Sequence, residues 1–133
     1  MIELTMSADQ IVSPGQQIIF NCVKMHTGNG EGYVDGSSAV KLRANGGIYE
    51  VHFSANVTCE DPETPVKLAI ISDENYIPES CMFSTPCRSG VLNNVAKTVP
   101  VKNSSHNMIA VINAGTSTVV VGPHPTLYIK RVS

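Results

Sequence analysis

The segment Gly46–Thr58, GGIYEVHFSANVT, sets Tyr49, Val51, Phe53, Ala55 and Val57 in strict alternation with Glu50, His52, Ser54, Asn56 and Thr58. Successive side chains on a strand point to opposite faces, so a period of two over ten residues makes one face dry and the other wet. A helix would scatter the same residues around its axis. The segment is therefore read as a sheet strand packed on one side only.

Turn residues punctuate the rest of the chain at short intervals, and the pieces between them are rich in Val, Ile, Thr, Tyr and Phe. Strands are expected at about 16–25, 38–44, 47–58, 65–72, 90–102, 106–114, 116–122 and 125–132, with minor pieces at 2–6 and 32–34. No segment shows apolar residues at helical spacing between caps, so no helix longer than a turn is expected. MHTGNGEG and RANGG carry Gly and Asn that tolerate positive φ, and CEDPETP is a charged, proline-bearing loop. This pattern indicates an all-β sandwich or barrel. At 133 residues the chain makes one domain with its own core. The boundaries expected are an N-terminal arm or short first strand at 1–15 and the sandwich at 16–133.

Charged residues are only 15% of the chain, and the formal net charge is −2. That balance offers no basic face for nucleic acid or anionic lipid. No apolar run approaches a membrane span, and the N-terminus has no basic segment followed by a long apolar one, so membrane insertion and export are not expected. QQIIF and MIAVI are apolar on both phases, as when both faces of a strand are covered. An antiparallel sandwich covers one face of each sheet, so a neighbouring subunit is expected over the other. The low charge agrees with surface hidden in an assembly.

The four cysteines, Cys22, Cys59, Cys81 and Cys87, could pair in three ways. Cys22 shares the phase of Ile18 and Phe20 and is expected as a buried thiol; without an export signal, reduced cysteines are expected throughout. There is no Gly-X-Ser-X-Gly elbow, phosphate loop, zinc knuckle or His-Glu-X-X-His signature. His26, His52, His106 and His124 lack ligand spacing, and the acidic turns lack the pattern of a dedicated calcium loop. No enzyme activity, metal or cofactor is expected.

The runs ANGGIYEVHFSANVT, VKLAIIS, KTVPVKNSSHNMIAVINAGTSTVVV and TLYIKRV resemble the tumour necrosis factor-like and complement-type globular head family, in its small bacterial and phage versions. The family pattern of Gly, any, Tyr, any, aliphatic, any, Phe falls on Gly47, Tyr49, Val51 and Phe53, and the likeness covers about residues 16–132. It implies a ten-strand antiparallel jelly-roll sandwich assembling as a trimer, with the inner sheets around a three-fold axis. On that resemblance the long strands at 16–25, 47–58 and 125–132, with MIAVI, belong to the inner sheet.

The residues expected at the trimer interface are Ile19, His52, Ile109, Val111 and Tyr128. Those expected in the core are Phe20, Tyr49, Val51, Phe53, Leu68, Ile70, Leu127 and Ile129. Tyr33, Tyr76 and Met82 are expected in loops as a ligand-contacting patch, since aromatics are enriched at recognition surfaces. No Gly-X-Y repeat precedes the jelly roll, and with the missing export signal this points to a homotrimeric phage virion protein. Such a protein would decorate the capsid or form part of a head fibre, made in the host cytoplasm, with capsid or fibre proteins as partners. The alternative is a trimeric head that recognises a glycan or receptor, as on a bacterial surface or collagen-like protein.

Overall fold

In the computed structural model, which describes residues 1–28, 30–33, 37–43, 46–59, 61, 63–85 and 91–133, the alternating segment forms one twelve-residue strand, Ile48–Cys59. Two glycines launch it. Gly47 sits at φ +91°, and a Cβ there would lie 2.8 Å from Arg131 Nε and 2.9 Å from the Ser133 carbonyl oxygen, so only glycine fits.

Thirteen strand segments appear among the described residues, where ten strands were expected: β1 (Ile2–Thr5), β2 (Gln10–Val12), β3 (Cys22–His26), β4 (Glu31–Tyr33), β5 (Val40–Leu42), β6 (Ile48–Cys59), β7 (Val66–Ser72), β8 (Asn75–Tyr76), β9 (Met82–Ser84), β10 (Asn93–Lys102), β11 (Met108–Asn113), β12 (Val119–Val121) and β13 (Thr126–Arg131). The only helical piece among those residues is a 3-10 turn at Pro78–Ser80. All pairings are antiparallel, as the all-β reading expected. In the first sheet, β6 bonds to β10 along one edge; along the other it bonds to β13 and, at its end, β12. β1 and β3 extend this sheet beyond β13, and β2 extends it beyond β12. The second sheet runs β4-β5-β11-β7-β8, with β9 also on β7. Both strands within residues 1–15 thus lie inside the first sheet.

The core fills the space between the sheets. Phe20, Tyr49, Val51, Phe53, Leu68, Ile70, Leu127 and Ile129 are all fully buried in it. Asn113, also buried, ties the layers together: its Nδ2 donates to the Val12 carbonyl (2.9 Å) and the Ser117 carbonyl (3.0 Å), and its Oδ1 accepts from the Gly115 N–H. Such polar groups are tolerated inside because each finds a partner.

Three sequence expectations change. The run 16–25 is not one strand. Gly15 and Ile18 donate to the carbonyls of Asn113 and Val111 in the second sheet, whereas β3, starting at Cys22, pairs with β1 in the first. The run is apolar on both phases because it crosses between sheets, and Cys22 emerges exposed rather than buried. Cys81 is partly buried and Cys59 buried, while Cys87 lies outside the described residues. MIAVI belongs to β11 in the second sheet, apart from β6 and β13. Its outward Ala110 is covered within the protomer, as are Ala69 and Ile71 on the neighbouring β7, so these three need no second subunit to shelter them.

Ser80 closes the 3-10 turn from inside. Its Oγ accepts from the Ile70 N–H at 2.8 Å and lies 2.6 Å from the Ile77 carbonyl oxygen, with no exposure to solvent. Ser80→Ala is expected to cost about 1–3 kcal/mol, because the buried Ile70 donor loses its acceptor. Urea unfolding measures this, together with faster hydrogen exchange at the Ile70 amide. Unchanged exchange there would contradict the assignment.

Candidate assembly face and rim

Because β6 turns Tyr49, Val51, Phe53, Ala55 and Val57 inward, its other side chains line the outward face of the first sheet. Strand register builds rows across that face. One row runs Thr98, His52, Tyr128, Glu3, Met25 over five strands. The next is Ala96, Ser54, Thr126, and on its far side come Asn94 and Asn56. Towards the end of β6 the face becomes apolar, with Thr58, Val120 and the exposed Ile11 in line and Leu92 against Gly122. At the opposite end lie Glu50, Lys130 and Lys102. The middle is thus a band of small or uncharged side chains apart from Glu3, which pairs with Lys24 at 3.3 Å, with one apolar end and one charged end.

His52 Nδ1 lies 2.7 Å from Thr98 Oγ1, which holds the ring within its row. Two hydroxyls on this side are buried without a hydrogen-bond partner, Thr5 Oγ1 and Thr58 Oγ1. Both atoms are already enclosed by the protomer itself, as is a third, Ser117 Oγ, so none of them is open to a second copy.

Beside β10 the two sheets share a rim. Asn93 Nδ2 donates to Ser84 Oγ at 3.0 Å, joining β10 to β9. This rim exposes Phe83 (67%), Val91 (48%) and Leu92 (54%), and the Lys67 ammonium sits 5.6 Å from the Phe83 ring centre. Scattered exposed apolar side chains are ordinary, but these belong to two neighbouring strand ends. No sequence expectation named them.

The expected interface residues separate. His52 and Tyr128 face outward in one row. Ile109 and Val111 are fully buried in the protomer's own core, on the inward phase of β11, and cannot reach a neighbour. Ile19 is 45% exposed but sits by the β2 edge, where its backbone bonds to both ends of the Gln10 amide. The expected loop patch separates as well. Met82 begins β9 and is a core residue, buried because its phase points between the sheets. Tyr33 ends β4 and packs against the core, its hydroxyl donating to the Phe20 carbonyl. Tyr76 ends β8 and is exposed.

Among the described residues no three His, Cys, Asp or Glu side chains gather as a metal site, and no helix is long and apolar enough to cross a membrane. In the charged CEDPETP loop, Asp61 accepts from the Glu63 N–H (3.0 Å) and the Thr64 hydroxyl (2.6 Å). The Thr64 bond first, then the Glu63 bond, hold its carboxyl below the usual aspartate range.

No family model and no curated protein matches the chain. Solved structures do. The globular domain of zebrafish complement 1qA protein aligns over 98% of both chains, with TM-score 0.66 and 11% identity. Murine APRIL also covers 98% of both, with TM-score 0.68 and 12% identity. Eiger TNF from S. frugiperda aligns over 99% of this chain and 91% of its own, with TM-score 0.71 and 10% identity. The chain has the fold of the tumour necrosis factor-like and complement-type heads. At these identities the likeness establishes the jelly-roll fold alone. In that jelly roll the outward face of the first sheet and the rim are adjoining surfaces of one protomer that meet at Leu92.

Proposed function

We propose that the protein is a non-enzymatic homotrimeric head that presents a binding surface, the outward face of the first sheet being buried around a three-fold axis. The observation that carries this reading is the pairing of two unlike surfaces: a largely uncharged sheet face, and an apolar rim at Phe83, Val91 and Leu92. Unlike surfaces on one chain associate head to tail, and such a contact closes into a ring when the rotation fits. The rim of one copy on the face of the next closes with three. An obligate interface of this kind reaches roughly 2,000 Å² or more.

Trimerisation multiplies weak contacts made by each copy's outer surface, so a receptor or glycan can be held through avidity. The complement and tumour necrosis factor neighbours support such a head; they give no support to a capsid, head-fibre or virion role. An array of bacterial-surface glycans and proteins, probed in parallel with intact phage capsids, tests the reading. Expected is binding to array ligands that weakens roughly a hundredfold when the protein is made monomeric. Equal binding by monomer and trimer would overturn avidity, and binding to capsids alone would return the virion role.

A further inference from the structure

The second sheet carries on its outward side a hollow that neither the core nor the assembly face uses. Its floor is low because Ala39, just before β5, and Ala110 on β11 are small, while Ile71 and Met108 stand beside them. The cavity measures about 410 Å³, within the roughly 300–1,000 Å³ of small-ligand sites. Ala39 and Met108 also wall an adjoining hollow of about 280 Å³ that passes Lys41 towards Tyr33 and Arg43. The shared wall makes one groove crossing β5, β11 and β7.

The two ends of the groove are oppositely charged. Asp73 and Glu74 form the two-residue turn between β7 and β8, both at positive φ (51° and 68°), and both line the first hollow. Asp73 is fixed there: the Met108 N–H donates to its Oδ1 at 2.7 Å, and its own N–H donates to the Met108 carbonyl at 2.9 Å. Lys41 lies opposite Met108 on the other side, and the Arg43 guanidinium lies where a side chain on Gly32 would be. Among the described residues the ion pairs are Met1 with Glu31 and Lys24 with Glu3, so none of the four groove charges is ion-paired with another described residue. Lys41 and Asp73 stand two strand spacings apart, about 10 Å at the backbone.

We propose that this groove binds an extended peptide segment of a partner protein that carries one cationic and one anionic side chain three residues apart. In the polyproline II form of an extended chain, residues i and i+3 lie on the same face about 9 Å apart, close to the distance between the charged ends. The cation meets Asp73 and Glu74, the anion meets Lys41 and Arg43, and small residues between them lie over Ala39 and Ala110. The Ser37 and Ser38 hydroxyls, whose own protons go to the Ala39 carbonyl and to Gln17 Oε1, can accept from peptide N–H groups. A ligand of single sign would be attracted at one end and repelled at the other, so the groove selects mixed charge. The proposal rests on the reading of a binding module but not on the trimer, because the groove lies on the sheet opposite the assembly face.

Titration of isotope-labelled protein with acetyl-Lys-Ala-Ala-Glu-amide, followed by NMR, tests this directly. Saturable shifts are expected at the Ala39, Met108 and Ala110 amides. The Lys-Ala-Ala-Lys and Glu-Ala-Ala-Glu analogues are expected to bind about fivefold or more weakly. In the doubly substituted Lys41→Glu, Arg43→Glu protein, both changes being on exposed side chains, the preference should invert towards Lys-Ala-Ala-Lys. Absence of saturable shifts, an unchanged preference in that variant, or stronger shifts of the same amides by a neutral oligosaccharide would each overturn the proposal. Light scattering on the same samples reports assembly separately, so a failed groove and a failed trimer are told apart.

Discussion

Phe53→Ala is expected to lower the unfolding free energy by about 3–5 kcal/mol, the usual cost of emptying a buried phenyl site. Phe53 is fully buried near the middle of β6, flanked in register by Lys97 on β10 and Leu127 on β13. Strands hold it on both sides, so the cavity cannot collapse by moving a loop. Domains of this size are commonly stable by only about 5–15 kcal/mol, and the loss removes a large part of that. Denaturant unfolding reads it as a fall in midpoint at constant slope. A midpoint equal to that of the parent protein would mean that the phase of β6 is wrong.

Ser54→Arg is the complementary experiment, one position along the same strand. Ser54 points outward between Ala96 and Thr126, in the band of small side chains. A long cation there has water to extend into when the protomer is alone, so its stability should stay within about 0.5 kcal/mol of the parent. Packed against a second copy, the same cation would be desolvated without a partner, at a cost of several kcal/mol per copy. The variant should therefore remain folded and lose assembly. A folded variant with undiminished assembly would place the interface elsewhere.

The alternation of β6 was legible because one of its faces is dry and the other is not, and period two records that difference directly. His52 and Tyr128 followed from the same phase. The reading failed where burial comes from the chain's own path. Residues 15–18 cross to β11 and help cover it, and the alanines at 69 and 110 are small enough to be sheltered inside one protomer. Two-sided apolar character therefore suggested a partner at Ile109 and Val111, which face the protomer's own core while the other phase of β11 is sheltered by the chain itself.

The rim was missed because its apolar residues come from two separated segments. In CMFST the phase was available in principle: Met82 and Ser84 turn inward and Phe83 outward. That Val91 and Leu92 join it depends on the Asn93 to Ser84 contact between β10 and β9, which no local pattern reveals. The groove is invisible in sequence for the same reason. It arises because Ala39 before β5, Met108 on β11 and Asp73 after β7 are brought side by side by strands that are distant along the chain.

A trimeric head requires that the first sheet's outward face be covered by other copies. Multi-angle light scattering at low micromolar concentration measures this most directly. Three copies of the 14.2 kDa chain, a single species of about 43 kDa that persists on dilution, is the expected result. A stable 14.2 kDa species would contradict it, since the face would then have no partner.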